Sequence, residues 1–215
     1  VRNTELIPQI LSEAFNLATS PRCGPVHLNF PRNILANTCN FNEITKHIKK
    51  PSLPVSDQDI INILKVINLS KQPVIIAGGG VKNSLCHENV LKLSSFLNIP
   101  IVSSAGHGDV IPFDKALYAG QMGPRGNPIA SQLVKEADVI LALGTRLGFN
   151  STFYSYDNIN KKALIIQIDI DQKSLGRYFP ISLGICNNVK EVTEKLFIEV
   201  QKQKNIPSHE DWTKK

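Results

Sequence analysis

Six short segments of the sequence pair glycine or small polar residues with groups that hold anions or hydroxyls. They are Gly78-Gly79-Gly80, Ser103-Ser104-Ala105-Gly106, Gly120-Gln121-Met122-Gly123, Gly144-Thr145-Arg146, Asp169-Ile170-Asp171 and Asn187-Asn188. Glycine lets a backbone approach a phosphate closely, and backbone N–H groups supply the hydrogen bonds. Arg146 has the planar fork that pairs with a phosphate through two parallel bonds. Asp169 suits a ribose hydroxyl or an adenine amino group. The candidate binding set is Gly78, Gly79, Gly80, Ser104, Ala105, Gly123, Gly144, Thr145, Arg146, Asp169, Ile170, Asp171 and Asn188. A plainer reading stands beside it. Gly78-Gly79-Gly80 is followed by Val81, Lys82 and Asn83, so the GxGxxG dinucleotide fingerprint is absent. Asp171 is also placed to cap a short helix over Gln172–Leu175, and Arg146 to join a structural ion pair.

Each segment follows an apolar run of strand character. Strands are predicted at Pro73–Ala77, Ile99–Ser103, Leu117–Ala119, Asp138–Leu143, Ala163–Ile168 and Ile181–Cys186. Between them helical spacing predicts helices over Ser56–Leu69, Leu85–Leu97, Asn127–Glu136 and Val189–Gln203. Strands apolar on both faces and alternating with helices indicate a parallel sheet covered on both sides. The expected fold is α/β, a six-stranded, doubly wound, Rossmann-like parallel sheet. In such a sheet ligands lie beyond the carboxyl ends of the strands, which is where the six segments fall.

Upstream, Thr4–Ala18 has the apolar spacing of a helix with Thr4 as its cap, and Val26–Phe30 alternates as a strand. Residues 33–56 are polar and irregular, with Pro51 and Pro54 marking a linker. The expected organisation is an end segment over 1–33, a linker over 34–55, a nucleotide-binding-like domain over 56–204 and a polar tail over 205–215. The chain opens on Val1 rather than Met, which reads as a piece of a longer protein.

Composition narrows the classes. The formal charge is +6, but Lys and Arg are scattered and no aromatic residues interleave a basic stripe, so nucleic-acid binding is not expected. No apolar run approaches the roughly 20 residues that cross a bilayer, and no signal peptide is visible. Cys23, Cys39, Cys86 and Cys186 lie far apart without metal-ligand spacing, as reduced thiols of a cytoplasmic protein would.

Three stretches together carry a resemblance: Pro73–Gly80, Ala137–Arg146 and Ile166–Asp171. In order and spacing they resemble the central domain of thiamine-diphosphate enzymes of the acetolactate synthase group. Gly24-Pro25-Val26-His27-Leu28-Asn29-Phe30-Pro31-Arg32 is similar to the segment that ends the pyrimidine-binding domain of that family. The resemblance covers roughly residues 4–200. It implies a central domain that holds FAD, ADP or nothing, with Gly78–Gly80 near pyrophosphate and ribitol, Arg146 near the phosphates, and Asp169 and Ile170 near the adenosine. It also implies a parent enzyme that uses thiamine diphosphate and Mg2+ on a 2-oxo acid or aldehyde and assembles as a homodimer or homotetramer.

The family's catalytic glutamate would precede Val1, and its Gly-Asp-Gly metal motif would lie in a later domain. No catalytic or metal residue is therefore expected here. Gly106-His107-Gly108-Asp109 and Asn187-Asn188 imitate that motif, but they stand about 80 residues apart and Val110 replaces the second glycine. Two departures loosen the tie to acetolactate synthase proper. Leu147-Gly148-Phe149-Asn150 stands where paired aspartates are usual, and Asn187-Asn188 stands where Gly-Asp is usual. Around Leu143–Leu147 and His107-x-Asp109 the chain also resembles sulfoacetaldehyde acetyltransferase. A self-standing nucleotide-binding module and a purely structural domain complete the alternatives.

Overall fold

The structure is a computed structural model that describes residues 1–20, 22–40, 54–204 and 206–214. The chain divides into two compact units, Val1–Pro51 and Ser52–Lys215. Of the linker expected over 34–55, residues 41–53 lie outside the described residues.

In the first unit a 3-10 turn over Thr4–Leu6 leads into α1, Ile7–Thr19. The cap differs from expectation: Asn3, not Thr4, accepts the Glu5 amide through its side chain. Val26–Phe30 is not a strand, because no described segment of this unit offers the neighbouring backbone that a ladder needs. A short helix, α2, Arg32–Leu35, follows Pro31, where irregular chain was expected from residue 33. No α1 residue is buried, and Leu11, Phe15 and Leu17 are exposed, so the described part of this unit leaves its apolar face uncovered.

The second unit carries the expected α/β fold. Six strands, β1 (Pro73–Ala77), β2 (Ile101–Ser103), β3 (Tyr118–Gln121), β4 (Val139–Leu143), β5 (Leu164–Asp169) and β6 (Leu183–Cys186), form one sheet in the order β3-β2-β1-β4-β5-β6. Every neighbouring pair is parallel. The chain's course reverses between β1 and β4, which are paired from Pro73↔Val139 to Ala77↔Leu143. That pair is the switch point of the fold.

Alternation along the strands divides the core in two. Ile75, Ala77, Leu141, Leu143, Ile166 and Ile168 point to one side, where α3 (Asp57–Leu69), α5 (His87–Leu97) and α8 (Val189–Gln201) pack. Val74, Ile76, Ile140, Ala142 and Ile165 point to the other, against Ala130 and Val134 of α6 (Pro128–Glu136) and Leu147, Ile159 and Phe179 of irregular segments. Fully burying an aliphatic side chain contributes roughly 1.5–3 kcal/mol, so these two rows fix the register of the sheet.

Local signals set the ends. Asn127 caps α6 by accepting the Ile129 amide at 2.8 Å, with Pro128 at the first position, where its missing N–H costs nothing. Asn98 closes α5 in the left-handed region, φ 52°. The helix expected over Leu85–Leu97 is α5, which starts at His87 because Leu85 takes a left-handed conformation, φ 51°, and an unexpected short helix, α4 (Gly79–Asn83), precedes it. A four-residue helix, α7 (Phe149–Thr152), follows β4 unannounced by any periodicity.

The stretch read from composition as a polar tail holds a further helix, α9 (Glu210–Thr213). Trp212 is buried and donates from Nε1 to the Pro73 carbonyl at 2.9 Å, and buried His209 lies 2.8 Å from the Leu97 carbonyl and 3.2 Å from Ser70 Oγ. One aromatic and one imidazole in a polar segment are too sparse to give a periodic signal. No helix among the described residues is long and apolar enough to cross a membrane.

Cys86 is buried beside α5, and burial pushes its thiol up to about 11, with the Glu194 carboxylate adding to the shift. The thiolate is the reactive form. In the native protein at pH 8, maleimide should label exposed Cys23 and Cys186 and spare Cys86, which should react only after denaturation; mass spectrometry reads the difference.

Candidate functional site

All six strands run the same way, so the loops that follow them share one edge of the sheet. Every predicted site residue lies in or beside those loops. Their surroundings differ.

At the switch point the loops after β1 and β4 pack backbone to backbone. The Gly78 N–H donates to Leu143 O at 2.9 Å, Gly80 N–H to Gly144 O at 2.9 Å and Gly144 N–H to Ile168 O at 2.8 Å. A methyl group on Gly80 would stand 2.6 Å from Gly144 Cα, and one on Gly78 would stand 2.6 Å from Thr145 Cβ. Gly144 is also in the left-handed region, φ 59°. These three glycines are thus required by the close approach of two loops, and their amides are already satisfied. Gly79 differs: a methyl group there would meet the His107 ring, 2.7 Å from Cε1.

The neighbouring loops are tied together in the same manner. Buried Ser104 donates its amide to Ala77 O at 2.9 Å. The Ala105 amide donates to Ser151 Oγ at 2.9 Å, and the Gly123 amide to Ser131 Oγ at 3.2 Å. Gly123 has φ 103°, and a methyl group there would stand 2.7 Å from Asn150 O. Thr145 is buried and its hydroxyl accepts the Leu147 amide at 3.3 Å.

The polar candidates separate into cappers and one free cation. Asp169 is buried at the end of β5, and its carboxylate accepts the Asp171 amide at 2.9 Å. Asp171 caps the 3-10 turn Gln172–Ser174 by accepting the Lys173 amide at 3.0 Å, and Asn188 caps α8 by accepting the Lys190 amide at 2.9 Å. Ile170 is 37% exposed, beside the Cys186 thiol, which donates to its carbonyl. Arg146 is exposed and forms no ion pair among the described residues, so the structural-pair reading has no support there. Among the candidate residues it is the cation left to meet an anion.

Asp109 pairs with Lys82 of α4, and the ammonium hydrogen-bonded to it holds its carboxyl below the usual carboxylate range. Among the described residues no group of three or more His, Cys, Asp or Glu side chains could hold a metal ion. Two shallow concavities of this unit lie elsewhere, one beside Lys92, Lys115 and Leu117 and one beside Lys92, Glu194 and Phe197.

Two contributors escape a motif-based reading. One is Lys82. The other is Gln167, 2% exposed, whose Nε2 donates to Thr145 O at 2.9 Å and Ser174 O at 3.1 Å while Oε1 accepts the Gly176 amide at 2.8 Å. It binds the loop after β4 to the loop after β5. A lone amide inside Leu164-Ile165-Ile166-Gln167-Ile168 was the available signal. Replacing it by apolar Leu strands two buried carbonyls, each worth about 1–3 kcal/mol when unsatisfied, and frees the part-buried Gly176 amide. Gln167→Leu should therefore cost about 3 kcal/mol or more in a urea unfolding series; a loss below about 1 kcal/mol would show that the loops do not depend on it.

Comparison with known proteins adds to this geometry. Residues 60–196 match the model of the thiamine pyrophosphate enzyme central domain. The acetolactate synthase large subunit of Buchnera aphidicola subsp. Schlechtendalia chinensis is 32% identical over 214 residues, which cover 92% of this chain and 35% of that protein. Sulfoacetaldehyde acetyltransferase of Castellaniella defragrans is 36% identical over 173 residues, covering 78% of this chain and 28% of that protein. The chain thus spans about a third of the length of the curated relatives it matches. A solved structure of a putative thiamin diphosphate-dependent enzyme from Mycobacterium smegmatis superposes with a TM-score of 0.78 at 17% identity, over 96% of this chain and 40% of that one, which shows a shared fold. A six-stranded parallel sheet in this order, matched over 60–196, leaves one conclusion: the chain belongs to the thiamine pyrophosphate enzyme family, through that family's central domain.

Proposed function

We propose that this chain is the non-catalytic middle of a thiamine-diphosphate enzyme that acts on 2-oxo acids or aldehydes, with residues 1–33 ending the preceding pyrimidine-binding domain. The carrying observation is that residues 60–196 match the family's central domain and fold as a six-stranded parallel sheet whose carboxyl-edge loops are tied to one another. Thiamine diphosphate, held with Mg2+ by other domains of the parent, supplies carbanion chemistry when bound. This chain supplies a rigid sheet whose carboxyl edge faces outward with Arg146 exposed.

That edge suits one further role, holding a nucleotide such as FAD or ADP. Arg146 would take the phosphates, and exposed Ile170 would lie against the adenosine. The satisfied amides of Gly78, Gly80 and Gly144 give a phosphate little to bind, so affinity would depend on Arg146 more than on the glycines. The 215-residue chain should show no turnover with pyruvate, thiamine diphosphate and Mg2+. Calorimetry should detect saturable ADP or FAD binding that weakens at least tenfold in Arg146→Ala, while the melting temperature of that variant stays unchanged because the side chain is exposed. Turnover by the chain alone would overturn the first statement; no binding would leave the domain a structural one.

A second reading for the parent has its own support. Leu143-Gly144-Thr145-Arg146-Leu147 and His107-x-Asp109 favour a sulfoacetaldehyde acetyltransferase-like enzyme over a biosynthetic acetolactate synthase. In the structure Leu147 is buried with φ 52°, so the loop after β4 turns inward on an apolar side chain where paired aspartates are usual. Assaying the full-length parent with sulfoacetaldehyde plus an acyl acceptor such as inorganic phosphate, and separately with pyruvate, separates the two, since only one mixture should support turnover.

A further inference from the structure

The loop between β2 and β3 crosses the turn after β1. Gly78, Gly80 and Gly144 face fixed neighbours, either backbone or the Cβ of Thr145, but Gly79 faces a ring that can rotate. The Gly79 Cβ position lies 2.7 Å from His107 Cε1 and 2.9 Å from Nε2, so the imidazole lies directly across this glycine. The loop that carries it is well supported at its base. His107 donates its amide to Ser104 O at 3.0 Å, Val110 donates to His107 O at 3.2 Å, and Val110 and Ile111 are buried. The Tyr118 hydroxyl donates to Gly108 O at 3.2 Å. At its tip the hold is weaker. Asp109 reaches back to Lys82 on α4 in an ion pair exposed on both sides, 56% for Lys82 and 61% for Asp109, and exposed pairs of this kind bind only marginally.

We propose that residues 106–109 form a cover over the β1 turn, with His107 as its plug and the Lys82–Asp109 pair as its catch, and that this cover limits access of a nucleotide's phosphates to Gly79. The inference rests on the nucleotide reading given above and adds a residue that limits the affinity Arg146 provides there. With the catch closed, the ring occupies the place where a phosphate oxygen would approach the one glycine of the four whose neighbour can move. Rotation of His107 about its side-chain bonds clears that place without moving the sheet. Its bulk, not its charge, is the controlling property.

The test titrates ADP into the full 215-residue chain by calorimetry, with thermal melting run in parallel. His107→Ala should bind at least fivefold more tightly than the unaltered chain, His107→Phe should match the unaltered chain within twofold, and Asp109→Asn should bind about twofold more tightly. If the unaltered chain binds ADP and His107→Ala binds equally or more weakly, the nucleotide reading stands and the cover is overturned. If neither binds, the nucleotide reading fails and the cover falls with it. Should His107→Ala fail to fold, Asp109→Asn decides, and unchanged affinity in that variant overturns the proposal.

Discussion

Two loops of the second unit meet without side chains between them. Behind β1 and β4, Gly78 and Gly80 press on Gly144 so closely that a single methyl group would collide with backbone; two amide-to-carbonyl bonds hold this contact and a third, from Gly144 to Ile168, joins it to β5. The central strand pair holds its register from Pro73↔Val139 to Ala77↔Leu143, and this junction closes it at the carboxyl end. Anything larger than hydrogen at these positions would push the two loops apart where the fold reverses direction.

From that junction the rest of the edge follows by polar ties rather than apolar packing. Gln167 joins the loops after β4 and β5, Ser151 and Ser131 hold the loops after β2 and β3, and Asp171 and Asn188 cap the elements that leave the sheet. An edge so internally satisfied is rigid and has few backbone groups left for a ligand. It differs in this from the open Gly-rich cradle of a dinucleotide fold, where amides face the pyrophosphate. The exposed groups that remain, Arg146 above all, then set what the edge can bind.

Reading the sequence alone gave the six strands, their parallel character and the position of the site loops, because each depends on short-range patterns. Apolar runs with Gly, Ser or Asp at their ends mark buried parallel strands whatever lies beside them. The short helices α4 and α7 left no such trace, since four or five residues are too few to show a period. Val26–Phe30 shows the reverse case. Its alternation is real, but alternation records only a preference, and strand formation needs a partner.

The residue types and their order therefore fixed the architecture and the family likeness. Which glycines serve packing and which face a movable group was decided only in three dimensions. Gly79 and Gly80 are neighbours in the chain, yet one meets an imidazole from the loop after β2 and the other the backbone of Gly144. Likewise Asp171 and Asn188, plausible ligands by type, spend their side chains on helix caps, while Arg146 stands free of any ion pair among the described residues. The reason is physical: composition states what a side chain can bond to, but the partner it does bond to is set by distance, and distance between segments 20 to 100 residues apart belongs to the packed sheet.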